Sequence, residues 1–132
     1  MKEIAIYLRL SKADKERTRE SQSIQNQRAL LYKAIREDAS FGEYPITAYI
    51  DDGYSGLQQD RPALCAMMQK IRQKKVVAVF VKDLSRLSRN HVFLAGFMEK
   101  FCPTYQVDLI AVGDGYDSRK EQFVQTATRL RA

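Results

Sequence analysis

The 132-residue sequence has few cysteine and histidine residues and no long apolar run. It has two cysteines, Cys65 and Cys102, and one histidine. The cysteines form no C-x-x-C pair, so we expect buried thiols rather than a zinc site or a disulfide. No stretch approaches the roughly 20 apolar residues that span a bilayer, and the N-terminus lacks the apolar core of a signal peptide. We therefore expect a cytoplasmic protein without a membrane partner.

Signatures of nucleotide binding and of Ser-His-Asp hydrolases are also missing. No G-x-x-x-x-G-K-[ST] loop or G-x-G-x-x-G turn follows an apolar run, and no G-x-S-x-G elbow surrounds a serine. A catalytic triad would have to use His91, which follows Asn90 where a helix is expected to begin. We therefore expect no ATP dependence and no hydrolase of this type, and the sequence offers no ligand set for a metal or cofactor.

The composition is that of a globular domain with excess positive charge. At 132 residues, one domain covering positions 1–132 is expected. The chain carries 22 Lys and Arg against 16 Asp and Glu, a formal net charge of +6. A basic balance favours an anionic partner, nucleic acid foremost, although many domains carry such a charge without binding a polyanion.

Apolar runs of strand length alternate with segments of helical length. Strands are predicted at residues 4–10, 46–50, 76–81 and 107–112, and helices at 21–37, 62–73 and 88–101. This alternation predicts an α/β domain with a largely parallel sheet covered on both faces, and the wholly apolar run 76–81 predicts a central strand. The apolar spacing over residues 121–131 predicts the beginning of a further helix, so the chain is expected to be a fragment of a longer protein.

Polar side chains gather where the predicted strands end. Period-two alternation places Tyr7, Arg9 and Ser11 on one face of the first strand. The turn-rich stretch 51–56 follows the second strand, at the sheet edge where open α/β folds bind ligands. The alternative interpretation of the first strand is a half-exposed edge strand with a solvated polar face.

An arginine-rich stretch, residues 82–90, follows the third predicted strand. If it is helical, Arg86 and Arg89 lie three residues apart on one face and suit a phosphate group. The alternative is a surface turn with solvated arginines. A serine hydroxyl among arginines can attack a phosphodiester, because the cations stabilise the negative charge that grows on the phosphate oxygens.

Four motifs, in this order, resemble the catalytic domain of the serine recombinases, the resolvase and invertase family. They are the Y-x-R-x-S strand, S-I-x-x-Q at residues 23–27, D-D-G-x-S-G followed by R-P-A-L, and V-K-D-L-S-R-L-S-R. The resemblance extends from Ile4 to about Asp117 and is strongest to the large serine recombinases, the integrases and transposases of mobile elements. It implies a resolvase-like three-layer α/β domain.

The resemblance also implies roles for individual residues. Ser11 matches the nucleophile that attacks DNA and leaves a 5′-phosphoserine and a free 3′-hydroxyl. Arg9, Arg86 and Arg89 match the arginines that bind the scissile phosphate. The supporting residues matched are Tyr7, Gln27, Asp51, Ser55, Arg61 and, less closely, Lys82. The chain departs from many resolvases at Ser85, where they have an aspartate, and whether Asp83 takes over the role of that acid is left open.

The resemblance further implies double-stranded DNA as the substrate, with dimers that pair into a tetramer across two sites, and neither metal nor cofactor. In the large members the region that reads DNA sequence lies further C-terminal, so it is expected to be absent from these residues. The alternative function is a non-catalytic module that binds phosphate or nucleic acid, in which Ser11 only donates a hydrogen bond. A flavodoxin-like or receiver-type signalling domain would instead carry an acidic cluster or an aromatic flavin loop.

Overall fold

The computed structural model describes residues 2–10, 20–52 and 61–120 of the chain. Its strands are β1 (Glu3–Leu10), β2 (Ile46–Asp52), β3 (Val76–Val81), β4 (Asp108–Ala111) and β5 (Tyr116–Asp117). Its α-helices are α1 (Glu20–Arg36), α2 (Pro62–Arg72), α3 (Leu84–Leu87), α4 (His91–Gly96) and α5 (Cys102–Thr104). A π-helical turn (Phe97–Phe101) joins α4 to α5, and a 3₁₀ turn (Val112–Asp114) joins β4 to β5.

The strands form one sheet in the order β2-β1-β3-β4-β5. The first four are parallel, as the alternation of strand and helix predicts, and β5 is antiparallel to β4. Strand β1 lies between β2 and β3, so the interpretation of β1 as a half-exposed edge strand is wrong. Strand β3 is central, as its uninterrupted apolar sequence predicts.

Helices cover both faces of the sheet, which gives the three layers. On one face, Ile4, Ile6 and Leu8 of β1 pack with Leu31 and Ile35 of α1. On the opposite face, the alternate residues of β1 belong to a second apolar cluster with α2 and the π-helical turn: Ala5, Tyr7, Leu64, Met67, Ile71 and Phe97. The period-two alternation of β1 thus supplies both halves of the core.

The helix predicted over residues 88–101 begins later and is not uniform. Ser88 is extended, with φ −169° and ψ 149°, and helix α4 begins after Asn90. The Asn90 side-chain oxygen accepts hydrogen bonds from the N–H groups of Val92 and Phe93, which are otherwise unpaired in a first helical turn. Asn90 is therefore the N-cap, and the two preceding residues are excluded from the helix.

Other features of the fold agree with the sequence predictions to different extents. The two-residue strand β5 was not predicted, because two residues are too few to show alternation. Cys102 is buried as expected, whereas the prediction of a buried thiol is wrong for Cys65, which lies on the exposed side of α2. The helix predicted from residue 121 lies outside the described residues, although residues 118–120 are already helical. Within the ranges given above, no helix is long and apolar enough to cross a membrane.

Candidate functional site

Several of the predicted site residues come together at the carboxyl edge of the parallel strands. Arg9 near the end of β1 is paired in register with Asp51 near the end of β2. The segment from Lys82 onward leaves β3 at the same edge, because β1 and β3 are also parallel. Asp51 belongs to the strand and not to the loop that the sequence suggested. Ser11 and Ser55 lie outside the described residues, so their positions remain predictions.

Asp51 joins β1, β2 and the start of α2. Its Oδ2 accepts hydrogen bonds from the Tyr7 hydroxyl (2.7 Å) and from the N–H of Leu64 (2.9 Å), and its Oδ1 accepts one from the N–H of Ala63 (2.8 Å). The residue next to the helix, Arg61, provides no side-chain cap. Asp51 therefore caps α2 from a different element, where its negative charge also favours the positive end of the helix.

Tyr7 is fully buried beside this carboxylate. Burial and the hydrogen bond to Asp51 raise the pKa of its hydroxyl far above the ordinary value. Its oxygen also accepts a hydrogen bond from Arg61 Nη1 (3.3 Å). Tyr7 is therefore a neutral side chain that links the buried carboxylate of Asp51 to the buried guanidinium group of Arg61.

Two guanidinium groups, those of Arg9 and Arg61, are buried at this edge, with 1% and 2% of each residue exposed. Arg9 donates from Nε to the carbonyl of Arg86 (3.1 Å) and from Nη2 to that of Ser85 (2.8 Å). Arg61 donates from Nη1 to the carbonyl of Arg86 (3.2 Å) and from Nη2 to that of Leu87. The two side chains thus bind the consecutive carbonyls of α3, and Arg86 Nη1 donates in return to the Arg9 carbonyl (2.9 Å).

Positive charge accumulates in this arrangement. Burial lowers the pKa of Arg9, and the nearby cations Arg86, Arg61 and Arg89 lower it further. Carbonyl oxygens hold a guanidinium group in place without neutralising it. An anion entering the site would therefore be favoured by several fixed cations.

Arg86 and Arg89 do not share a helical face, so that prediction is wrong. Helix α3 ends at Leu87, and the extended Ser88 separates the two arginines. The Arg86 side chain is 17% exposed and hydrogen-bonded, which also excludes the interpretation as a solvated arginine. Arg89 is exposed, as is His91 at the first position of α4.

The end of β3 is held closely against the end of β4. The Lys82 carbonyl accepts a hydrogen bond from the N–H of Gly113 at 2.5 Å. A Cβ atom at Gly113 would lie 2.7 Å from the same oxygen, so this approach requires glycine. The Lys82 side chain is partly buried at this edge of the sheet.

Gln27 lies on α1 and is 3% exposed. Neither polar atom of its amide has a hydrogen-bond partner in the described part of the chain. The structure thus places this residue in the interior but joins it to none of the arginines described above. Its predicted supporting role remains a prediction.

Two acids, Asp83 and Asp114, accept hydrogen bonds from backbone N–H groups of α3. Asp83 caps α3 by accepting from the N–H of Arg86 (3.2 Å), and it also accepts from the Ser85 hydroxyl (2.5 Å). Asp114, which sequence reasoning did not single out, accepts from the N–H of Leu84 (2.7 Å). The turn-rich sequence after β4 was a positional signal for Asp114, but its contact with α3 is formed only in the fold.

The described side chains do not assemble a metal centre. In residues 2–10, 20–52 and 61–120, no group of three or more His, Cys, Asp or Glu side chains is placed to hold an ion. The chemistry of the site that the structure describes is that of guanidinium groups, three carboxylates and hydroxyl groups.

Comparison with known proteins identifies relatives of this fold. The sequence matches the family model "Resolvase, N terminal domain" over residues 4–129, whereas no curated protein sequence matches. The N-terminal catalytic domain of TP901-1 integrase superposes with a TM-score of 0.72 at 25% identity, covering 98% of this chain and 94% of that one. A resolvase family site-specific recombinase from Streptococcus pneumoniae gives 0.66 at 29% identity, covering 98% and 86%. A serine recombinase from Sulfolobus solfataricus, 20% identical, shares the fold with a TM-score of 0.65 over 98% and 83% of the two chains. The predicted fold is therefore confirmed.

Proposed function

This chain belongs to the serine recombinase family, and we propose that it is the catalytic domain of a site-specific DNA recombinase with Ser11 as its nucleophile. The Ser11 hydroxyl attacks a phosphodiester of double-stranded DNA. A bond forms between Ser11 Oγ and phosphorus, and the bond from phosphorus to the 3′ oxygen breaks. The products are a 5′-phosphoserine linkage and a free 3′-hydroxyl, and attack by a 3′-hydroxyl after strand exchange rejoins the DNA.

The observation that carries this proposal is the fixed group of cations at the end of β1. Arg9 and Arg61 are buried, and both bind the backbone of α3 next to Arg86. Ser11 follows Arg9 by two residues, so their Cα atoms lie within about 7 Å of each other in any backbone conformation. A phosphodiester gains negative charge on its non-bridging oxygens during attack, and preorganised cations stabilise that charge without moving.

The proposed roles of the other residues combine the family resemblance with the contacts described above. Arg9 and Arg86 bind the scissile phosphate, and the exposed Arg89 joins them when DNA is bound. Tyr7, Asp51 and Arg61 support Arg9 and α3 through the hydrogen bonds described above. Gln27, Ser55 and Lys82 complete the proposed set.

We extend the proposal to the assembly in which this chain acts. Residues 1–132 form the catalytic domain of a longer protein in the cytoplasm, and another region of that protein reads the DNA sequence. The active form is a dimer that pairs into a tetramer across two DNA sites. Because arginines supply the positive charge, the chemical step uses neither a metal ion nor another cofactor.

Covalent capture tests the nucleophile and needs no DNA substrate of defined sequence. The tagged full-length protein is expressed in cells, the cells are lysed in denaturant, and DNA that remains attached to the captured protein is quantified and sequenced. We expect attachment at 5′ ends with the wild-type protein and none with Ser11→Ala. Ser40→Ala, which changes an exposed serine in the α1–β2 loop, is the matched control and should retain attachment.

The same capture separates the proposal from its alternative. A non-catalytic binding module would release all DNA in denaturant, whichever serine is present. Attachment that persists in Ser11→Ala would contradict the assignment of the nucleophile. The sequenced ends also define the duplex that carries the recombination site for later kinetic measurements.

A further inference from the structure

A cationic cavity of about 220 Å³ lies at the amino edge of the sheet, opposite the arginine cluster. Two lysines, three uncharged polar residues and the first two residues of β3 line it; the polar side chains are those of Lys2, Lys74, Thr104, Tyr105 and Gln106. No Asp or Glu of the described residues belongs to this lining. Strand β3 separates the cavity from the arginine cluster by roughly 16 Å, at about 3.3 Å per residue. We call it the amino-edge cavity.

Two helix C-termini form this cavity with the same backbone geometry. After α2, the N–H of Lys74 donates to the Ile71 carbonyl (2.9 Å), and after α5 the N–H of Gln106 donates to the Pro103 carbonyl (3.2 Å). In each case the next N–H along the chain donates to the carbonyl one residue earlier, at 3.1 and 2.9 Å. This is the Schellman motif, and Lys74 and Gln106 occupy its left-handed position.

That position is unfavourable for both residues. Among the non-glycine residues that the structure describes, only Lys74 (φ 61°) and Gln106 (φ 55°) have a positive φ. A Cβ atom approaches the following carbonyl oxygen in this conformation, which is why glycine usually occupies it. Both side chains line the amino-edge cavity. Because residues held in strained conformations cluster at functional sites, these two side chains indicate a binding role for the cavity.

Helix electrostatics does not account for the lysines. The C-terminus of a helix carries about half a negative charge, which favours cations in its last turn. The last turn of α2 already contains Lys70 and Arg72, and the π-helical turn before α5 contains Lys100. Lys2 precedes β1 and belongs to no helix. The cavity therefore has more positive charge than the helix ends offset, and it suits an anion.

Further cations beyond the cavity favour a polymer over a single ion. The Arg72 guanidinium lies 5.4 Å from the centroid of the Phe101 ring, and that ring packs against the ring of Tyr105 in the cavity wall, with centroids 5.1 Å apart. Lys75 is exposed beside Lys74. One small anion in the cavity cannot contact all of these groups, whereas a backbone with regularly spaced phosphates can.

We propose that the amino-edge cavity binds a backbone phosphate of duplex DNA, at a site separate from the arginine cluster. The ammonium groups of Lys2 and Lys74 bind the phosphate oxygens, and the Gln106 amide and Tyr105 hydroxyl donate hydrogen bonds to phosphate or sugar. This contact goes beyond the proposed reaction and does not depend on Ser11. With binding sites at both edges of its sheet, one domain can hold two DNA segments.

A titration followed by nuclear magnetic resonance locates the contact. The isotope-labelled chain is titrated with a short DNA duplex of arbitrary sequence, and the amide shifts are fitted separately for each edge of the sheet. We expect one group of shifting amides around Lys74 and Gln106, and a second group around α3 if the arginine cluster also binds DNA. Inorganic phosphate, titrated at the same phosphate concentration, should shift the amino-edge amides less than the duplex does.

Lys74→Gly separates binding from folding, because it removes the cation and relieves the left-handed strain. It should raise the urea midpoint of unfolding by roughly 0.3–1 M, yet raise the Kd fitted at the amino edge about 10-fold, the effect of losing one hydrogen bond to a charged group. Lys2→Gln changes no strained residue and should weaken the same Kd similarly. Lys33→Gln, which removes an exposed lysine of α1, is the charge-matched control and should leave this Kd unchanged.

Each other result overturns the inference. Absence of amino-edge shifts with the duplex, or an unchanged Kd in Lys74→Gly and Lys2→Gln, would show that the cavity does not bind DNA. An equal loss in Lys33→Gln would attribute binding to overall charge. Stronger shifts with inorganic phosphate would assign the cavity to a free anion, and a lower urea midpoint in Lys74→Gly would refute the argument from strain. Absence of shifts around α3 alone would instead count against the proposed function.

Discussion

Removing the Asp51 side chain should destabilise the fold more than removing its strongest single contact. Asp51 is 2% exposed and accepts three hydrogen bonds, from Tyr7, Ala63 and Leu64. In Asp51→Ala, helix α2 loses its cap and the Tyr7 hydroxyl is left as a buried donor without its acceptor. Loss of a cap costs about 0.5–2 kcal/mol and a buried unpaired donor about 1–3 kcal/mol, so we expect a decrease of roughly 2–5 kcal/mol in the free energy of unfolding.

Tyr7→Phe is the matched control, because it leaves the cap and removes only the contacts of the Tyr7 hydroxyl, with Asp51 and with Arg61 Nη1. Asp51 Oδ2 still accepts from the N–H of Leu64 in this variant, so the expected loss is about 1 kcal/mol. In the double variant Asp51→Ala/Tyr7→Phe no hydroxyl is left unpaired. The Tyr7 change should therefore be neutral or stabilising in the Asp51→Ala background.

Urea unfolding of the chain, followed by far-ultraviolet circular dichroism, measures these differences. With a urea slope of about 1–3 kcal/mol per molar, the expected loss in Asp51→Ala shifts the midpoint by about 1 M or more. If Asp51→Ala cost less than 1 kcal/mol, or if Tyr7→Phe had the same effect in both backgrounds, the account of Asp51 as the junction of β1, β2 and α2 would be refuted.

Three further predictions concern other regions of the protein. Hydrogen bonds from Arg119 lower the pKa of both Asp38 and Asp117. The stability that these two ion pairs add to the fold is therefore fully present above the pKa that the carboxyls have in the unfolded chain. It is lost as the pH falls through their lower pKa in the folded protein. Arg119→Gln should therefore reduce the free energy of unfolding by about 1 kcal/mol at neutral pH, and by progressively less in urea titrations at acidic pH. Burial raises the pKa of Cys102 to about 12, whereas Cys65 is exposed. A thiol reagent should therefore modify Cys65 quickly and Cys102 only on unfolding. Fast modification of both thiols would contradict the packing described. Adduct formation by the full-length protein should be unchanged by EDTA, and an absolute requirement for Mg²⁺ in cleavage would contradict charge stabilisation by arginine.

Much of the fold could be predicted because the deciding interactions are local. Each of the four long strands lies within two residues of its predicted bounds, since an apolar run of strand length is visible in the sequence itself. The position of the site followed as well. Parallel strands bring their carboxyl ends to one edge, so Arg9, Asp51 and the residues after β3 had to lie close together once the alternation was recognised.

The details of the site could not be predicted because they depend on distant residues. Arg86 and Arg89 have helical spacing, and neither glycine nor proline separates them. Helix α3 nevertheless ends at Leu87, where Arg61, 26 residues away in sequence, binds the terminal carbonyl. The contact between Tyr7 and Asp51 spans 44 positions. No local pattern reports such pairs, so these connections between distant residues could not be predicted from the sequence.

The hydrogen-bond acceptors of Arg9 and Arg61 determine how much positive charge these side chains can offer to an anion. In the proposed reaction, Arg9 and Arg61 must be held rigidly to stabilise a developing charge, and carboxylates would hold them firmly. A carboxylate would also neutralise them. The acceptors observed for both side chains include the neutral backbone carbonyls of α3, while the buried acid Asp51 binds the start of α2 and the Tyr7 hydroxyl. The backbone carbonyls among these acceptors hold the two arginines without cancelling their charge, which suits the proposed stabilisation of a phosphodiester under attack.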